Sequence, residues 1–207
     1  MWAVVGLGNP GRQYASTRHN VGFLFVRKVA KKWQVKLRKR IFLSKAVVVD
    51  RNHEQVLLAV PQTYMNNSGL AVKRMIEGSW VAPDHLIVVY DDLAIPLGEI
   101  RIRKEGRAGS HKGMLSIISE IQTTKFPRIR IGIGPLPPEE EAVPFVLSPF
   151  HQEEKAQLEV SFDRAQQALD MILEGKMDRA MTLYNKRRTK ELDAQDIKEE
   201  PIGNSDS

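Results

Sequence analysis

His19 and Asp91 are candidates for moving a proton, Asn66 carries an amide able to donate to a reacting group, and Asn9 is a polar side chain in a glycine-rich loop. An imidazole titrates near neutral pH and can take a proton from water; a carboxylate behind it fixes its tautomer and stabilises its cation. A carboxamide donates to a carbonyl or to the oxyanion that forms from it. His19 sits in the loop Tyr14-Ala-Ser-Thr-Arg-His19-Asn20, and Asp91-Asp92 closes the apolar run His85–Tyr90. Plainer readings stay open at this point. Read alone, a loop histidine such as His19 is more often an ordinary surface residue, Asp91-Asp92 also reads as a turn or cap, and Asn66 as a helix cap. Nucleophilic catalysis has little to build on, because the chain has no cysteine and no GxSxG, so water activated by His19 is the simpler chemistry. No metal is expected either, since His19, His53, His85, His111 and His151 show no HxxxH or comparable ligand spacing.

Gly6-Leu-Gly8-Asn-Pro-Gly11 matches the GxGxxG spacing of dinucleotide-binding turns. That motif needs a helix directly after the glycines and an acid about 20 residues on. Here Pro10 falls inside the turn, and no Asp or Glu occurs between Met1 and Val49. The alternative is a glycine-rich loop that brings Asn9 to the C-terminal edge of a sheet, where ligands of open α/β folds collect.

These loops need elements to hold them. Trp2-Ala-Val-Val-Gly-Leu7 is apolar on both faces and reads as a central strand. Asn20 is then placed to cap a helix with Phe25, Val29 and Trp33 on its inner face and Lys28, Lys31 and Lys32 outside. Further strands are predicted at 46–49, 55–60 and 85–90, with a helix from Ser68 to Glu77 stopped by Gly78. Residues 99–103 and 128–133 alternate strictly, isoleucines to one side and charged residues to the other, with a helix at 112–121 between them. Leu158, Phe162, Ala165, Leu169 and Ile172 form the stripe of a long helix. The class is α/β, a single globular domain with a twisted mixed, mostly parallel, sheet flanked by helices. Its expected extent is residues 1–185, followed by a polar tail at 186–207 in which disorder is expected.

With 207 residues the chain is long enough for one well-buried core. No apolar run approaches the about 18 residues of a membrane span, and residues 1–8 lack the basic start and apolar stretch of a signal peptide. A cytoplasmic protein is the expectation. The formal charge is +6, from 31 Lys and Arg against 25 Asp and Glu, and it is unevenly spread. Residues 27–49 hold nine basic and no acidic side chains; residues 97–130 hold eight against three, or +5. Such a distribution is compatible with an anionic partner such as nucleic acid.

Taken together, the stretches GLGNPGRQYASTRHNVG, PQTYMNNSGLAV, VVYDDLAIPLGEIRIR and FPRIRIGIG, with support from PFVLSPF and AMTLYN, resemble the bacterial-type peptidyl-tRNA hydrolase family over residues 2–185. The resemblance implies an α/β monomer without cofactor or metal that releases tRNA by cleaving its ester to a peptide. It implies that His19 activates water and Asp91 orients it. Asn9 and Asn66 then hold the peptide part and the reacting carbonyl, Tyr14 and Met65 line the cleft, and His111 and Lys112 lie in the substrate-binding stretch. Arg103 and Arg130 fall where the family presents basic side chains to the acceptor end and 5′ phosphate of tRNA, and both are predicted to point outward. The chain departs from the pattern at Ser110, where glycine is common, at Lys112, where asparagine is common, and at Ala94, where aspartate is frequent. Lys112 leaves room for a second reading, a relative that binds RNA without turnover; a small-molecule esterase is a third.

Overall fold

The computed structural model describes residues 1–51, 54–79 and 81–185. The expected tail at 186–207 and His53 lie outside the described residues. Seven strands form one sheet in the order β2-β3-β4-β1-β5-β7-β6. They are β1 (Trp2–Gly6), β2 (Lys39–Ile41), β3 (Ser44–Arg51), β4 (Glu54–Pro61), β5 (Leu86–Pro96), β6 (Ile100–Arg103) and β7 (Arg128–Gly134). Six α-helices surround it: α1 (Val21–Lys32), α2 (Ser68–Ser79), α3 (Lys112–Ile121), α4 (Ala142–Leu147), α5 (Lys155–Leu173) and α6 (Met177–Tyr184). The sheet is mixed, as predicted, but parallel pairing is confined to its centre. β4, β1, β5 and β7 run parallel, while the β2–β3, β3–β4 and β6–β7 pairs are antiparallel.

The central strands read as continuous apolar runs because both of their faces are covered. Val4, Ile87, Val89, Ile129 and Ile131 pack with α1 and α5 on one side. Ala3, Val5, Val88 and Tyr90 pack with α2 and α3 on the other. Gly22, at the start of α1, lets that helix settle onto the sheet. A Cβ there would lie 2.3 Å from the carbonyl oxygen of Val89 and 2.5 Å from the amide nitrogen of Leu7, both backbone atoms that cannot swing aside.

Several expectations are corrected. Gly78 lies inside α2, which runs on to Ser79; its missing side chain makes room for the Phe42 ring, 2.4 Å from where a Cβ would sit. Asn20 stands at the start of α1 but its side chain makes no capping bond there. Asp91-Asp92 does not end its strand, because β5 continues to Pro96 by pairing with Gly134 of β7. Nor does every charged residue of β7 face water. Arg128 is buried, its guanidinium donating to the carbonyls of Gly106, at 2.7 Å, and Thr124, at 2.8 Å.

Candidate active site

Strand lengths bring the catalytic candidates together. β1 pairs with β5 only as far as Gly6 opposite Val89, so Asp91 lies two residues past the end of β1. The loop leaving β1 runs over that position, carrying Asn9 and, in a short 3₁₀ turn ahead of α1, His19. The glycine-rich segment is not a dinucleotide turn: Arg12–Tyr14 is one 3₁₀ turn, and the first α-helix waits until Val21. A third loop, after β4, brings Met65 and Asn66 alongside.

His19 Nδ1 lies 2.9 Å from both carboxylate oxygens of Asp91, and His111 Nε2 lies 3.0 Å from Oδ1 of the same group. The tautomers follow from the remaining bonds. The backbone N–H of Met114 donates to His111 Nδ1, so His111 carries its proton on Nε2 and donates it to Asp91. With no other acceptor at its Nδ1, His19 likewise donates to Asp91, and its Nε2 keeps a lone pair for the cleft. Asp91 is 4% exposed and the two imidazoles 13% and 10%. Burial alone would push the Asp91 carboxyl up, but the electrostatic pull of the nearby His111 and the hydrogen bonds from both imidazoles outweigh it and hold it well below the ordinary carboxylate range.

His19, Asp91 and His111 also offer ligand atoms within 4.8 Å of one another, a juxtaposition that residue spacing along the chain did not show. The Nε2 of His111 is protonated by the argument above and presents no lone pair to a cation. The trio is therefore an ordered hydrogen-bonded unit.

Asn9 is held on both sides. Its backbone N–H donates to Asn20 Oδ1 at 2.8 Å, and its carbonyl accepts from Asn20 Nδ2 at 2.9 Å. Its own Oδ1 accepts from the backbone N–H of Met65, which turns the Nδ2 donors toward the cleft. Sequence reasoning gave Asn20 to the helix; the structure uses its amide to fix Asn9. Arg18 was missed altogether. It is buried beside His19, reaches the Pro149 carbonyl, and holds both oxygens of Glu154 at 2.8 and 2.7 Å. Its guanidinium stacks on Phe145 of α4, tying the His19 loop to the opposite wall of the cleft. Arg18→Ala is expected to cost about 3 kcal/mol in urea unfolding, because it leaves Glu154 without its partner and opens a cavity against Phe145. A loss below about 1 kcal/mol would show the clamp to be dispensable.

The resulting cleft measures about 890 Å³. Asn9, His19, Met65, Asn66, Asp91 and His111 line it together with Arg103, Lys112 and Arg130. Tyr14 is not among its lining residues; it is half-buried in the 12–14 turn. Asn66 is exposed and its side chain makes no hydrogen bond among the described residues, so its amide is available. Arg103 is exposed, as predicted, whereas Arg130 is tied to Asp92 by an ion pair. Register accounts for that pair: Asp92 lies two residues after Tyr90, which pairs with Arg130, so both side chains share a face. Burial raises the Tyr90 phenol, against the pull of Arg130 and Arg128, so it stays a neutral donor. Arg107 joins Arg103 and Lys112 as exposed cations, and Val143, Val146 and Leu147 of α4 make an apolar wall. Ser110 lines the cleft too, and Ala94 is exposed with its N–H bonded to Asp92.

The sequence matches the family model for peptidyl-tRNA hydrolase over residues 3–192. The peptidyl-tRNA hydrolase of Persephonella marina is 46% identical over 187 residues, 89% of this chain and 97% of the relative. That of Aquifex aeolicus is 43% identical over 184 residues, 89% of this chain and 96% of its own. The crystal structure of peptidyl-tRNA hydrolase from Acinetobacter baumannii superposes with a TM-score of 0.85 at 32% identity, covering 91% of this chain and 96% of that one.

Proposed function

The chain belongs to the peptidyl-tRNA hydrolase family, and from that premise we propose how its own side chains cleave the ester between peptide and tRNA. Water lies against His19 Nε2 and attacks the ester carbonyl as His19 takes its proton. Asp91 keeps the proton of His19 on Nδ1, so the base always faces the cleft, and stabilises the imidazolium once formed. His111 is a positioning residue that fixes the Asp91 carboxylate. Asn9 Nδ2 and the Asn66 amide donate to the peptide side and to the oxygen that gains charge. Met65 and the wall of α4 pack against the acyl group. The proton on His19 then returns to the ribose oxygen that leaves.

Arg103, Arg107 and Lys112 contact phosphates of the acceptor end, with Arg130 joining them from its pair with Asp92. The catalytic unit is residues 1–185, acting as a monomer in the cytoplasm. Among the described residues no helix is long and apolar enough to cross a membrane. The observation that carries the reading is the His19–Asp91 pair in a cleft that Arg103, Arg107 and Lys112 also line, three cations with no ion-pair partner among the described residues. Incubation with an N-blocked aminoacyl-tRNA is expected to release free tRNA; failure to release it would overturn the reading. Arg103→Ala is expected to raise KM for that substrate about ten-fold with kcat retained, since it removes a phosphate contact made before and during reaction. An equal effect on a short ester that lacks tRNA would take Arg103 out of tRNA docking.

A further inference from the structure

The basic run between Arg27 and Val49 takes no part in the cleft. Arg27, Lys31, Lys36 and Lys45 instead line a second cavity of about 680 Å³ beside α1 and β3, over an apolar floor that includes Val35, Leu37 and Val60. Among the described residues no acid lines it. The neighbouring Lys28 turns away, pairing with Glu159 and Asp163 of α5. Arg27, Lys31 and Lys36 are exposed and Lys45 half-buried, and none of the four has an ion-pair partner among the described residues. β2 extends the positive surface, since Arg40 pairs in register with Lys45, and Arg38, Lys39 and Arg40 are all exposed.

Like charges facing one cavity repel one another, and a bound polyanion relieves that repulsion. Flexible, solvated arms without buried donors suit a phosphodiester backbone, which offers a charge at every step and asks for no base reading. Position separates this groove from the cleft. Lys45 pairs with Val60, which packs on the face covered by α1. Arg103 pairs with Arg128, and their neighbours Ile102 and Ile129 point to the α1 face, so both arginines point to the other one. β3 and β6 are also five strands apart, about 24 Å at the usual spacing. An acceptor end seated on Arg103 does not also lie in the groove.

We propose that this groove binds the phosphate backbone of a second RNA segment, distinct from the acceptor end held in the cleft. The inference concerns binding without turnover, so it stands or falls separately from the chemistry assigned to His19.

The test is binding of a blunt-ended RNA hairpin, which has no single-stranded 3′ end to enter the cleft, measured by fluorescence anisotropy across a KCl series. The variant Arg27→Gln/Lys31→Gln/Lys36→Gln/Lys45→Gln is expected to bind at least about ten-fold more weakly at low salt. The slope of log K against log salt should fall by about 3.6, at roughly 0.9 per lost phosphate contact. If that variant fails to fold, Lys31→Gln/Lys45→Gln should lower the slope by about 2. Arg103→Ala should cost hairpin affinity clearly less than the groove variants do. An unchanged slope in the groove variants overturns the proposal. So does equal loss in Arg103→Ala, which would put the hairpin in the cleft. Retention of vesicles containing anionic phospholipid in preference to the hairpin also overturns it, and assigns the groove to a membrane surface.

Discussion

His19→Ala is expected to lower kcat/KM for peptidyl-tRNA by about 10³-fold, within the range of a lost general base, while the unfolding midpoint moves little. The loss should fall almost wholly on kcat. In the proposed mechanism His19 Nε2 meets substrate only through the attacking water, whereas the phosphate contacts are assigned to other lining residues, Arg103, Arg107 and Lys112. The fold should survive because His19 contributes one partly exposed ring and one hydrogen-bonded contact, to an Asp91 that keeps His111. Residual activity should persist, since Asn9 and Asn66 still receive the carbonyl. Single-turnover hydrolysis at saturating enzyme measures the chemical step directly. A rate within about three-fold of wild type would remove His19 from the reaction.

Loops that follow strands of an α/β sheet gather at one edge, so Asn9, His19, Asn66 and Asp91 are traceable from apolar runs and their ends, while Met65 enters only through the family resemblance. What the sequence hid were contacts between distant segments. Asp91 meets His111 across 20 residues, and Arg18 meets Glu154 across 136. Neither spacing carries a local pattern. Asn20 misled because asparagine before a helix is the ordinary cap, and only the folded loop shows its amide holding Asn9.

Elements followed the same logic. β1, β4 and β5 announced themselves because buried parallel strands are apolar throughout. β2, with exposed Lys39 and Arg40, and α4, six residues with Pro144 inside, had no period to reveal them. Strict alternation in β7 pointed correctly to two faces, but alternation says only which way a side chain leaves the sheet. Arg128 and Arg130 leave on the same face. One is covered by the carbonyls of Gly106, Thr124 and Phe126 and the other meets Asp92, so the outward prediction fits Arg103 better than either.

Asp91→Asn tests the tautomer argument, and its expected loss, about 10³- to 10⁴-fold in kcat, equals or exceeds that of His19→Ala. In the wild type Oδ1 accepts from both imidazoles, and Oδ2 also faces His19 Nδ1. An amide cannot reproduce this. With its oxygen at the shared site, its NH2 confronts the Nδ1 proton of His19; reversed, the NH2 confronts both rings. Either way His19 is driven to carry its proton on Nε2, where it can donate into the cleft but cannot accept from water. The double variant His19→Ala/Asp91→Asn should therefore be no slower than the worse single variant, because both changes disable one unit. Independent, multiplicative losses would show that Asp91 acts on substrate by another route. Stability supplies a second readout with a definite sign. Because the folded Asp91 carboxyl lies below its ordinary value of 3.8, the unfolded chain binds the extra proton first. The stabilisation is thus present above about pH 4 and fades as pH falls through the folded pKa. Asp91→Asn should be less stable than wild type at neutral pH, and the gap should narrow on acidification below pH 4. A gap constant from neutral to strongly acid pH would mean that the carboxylate is not what the two imidazoles hold in place.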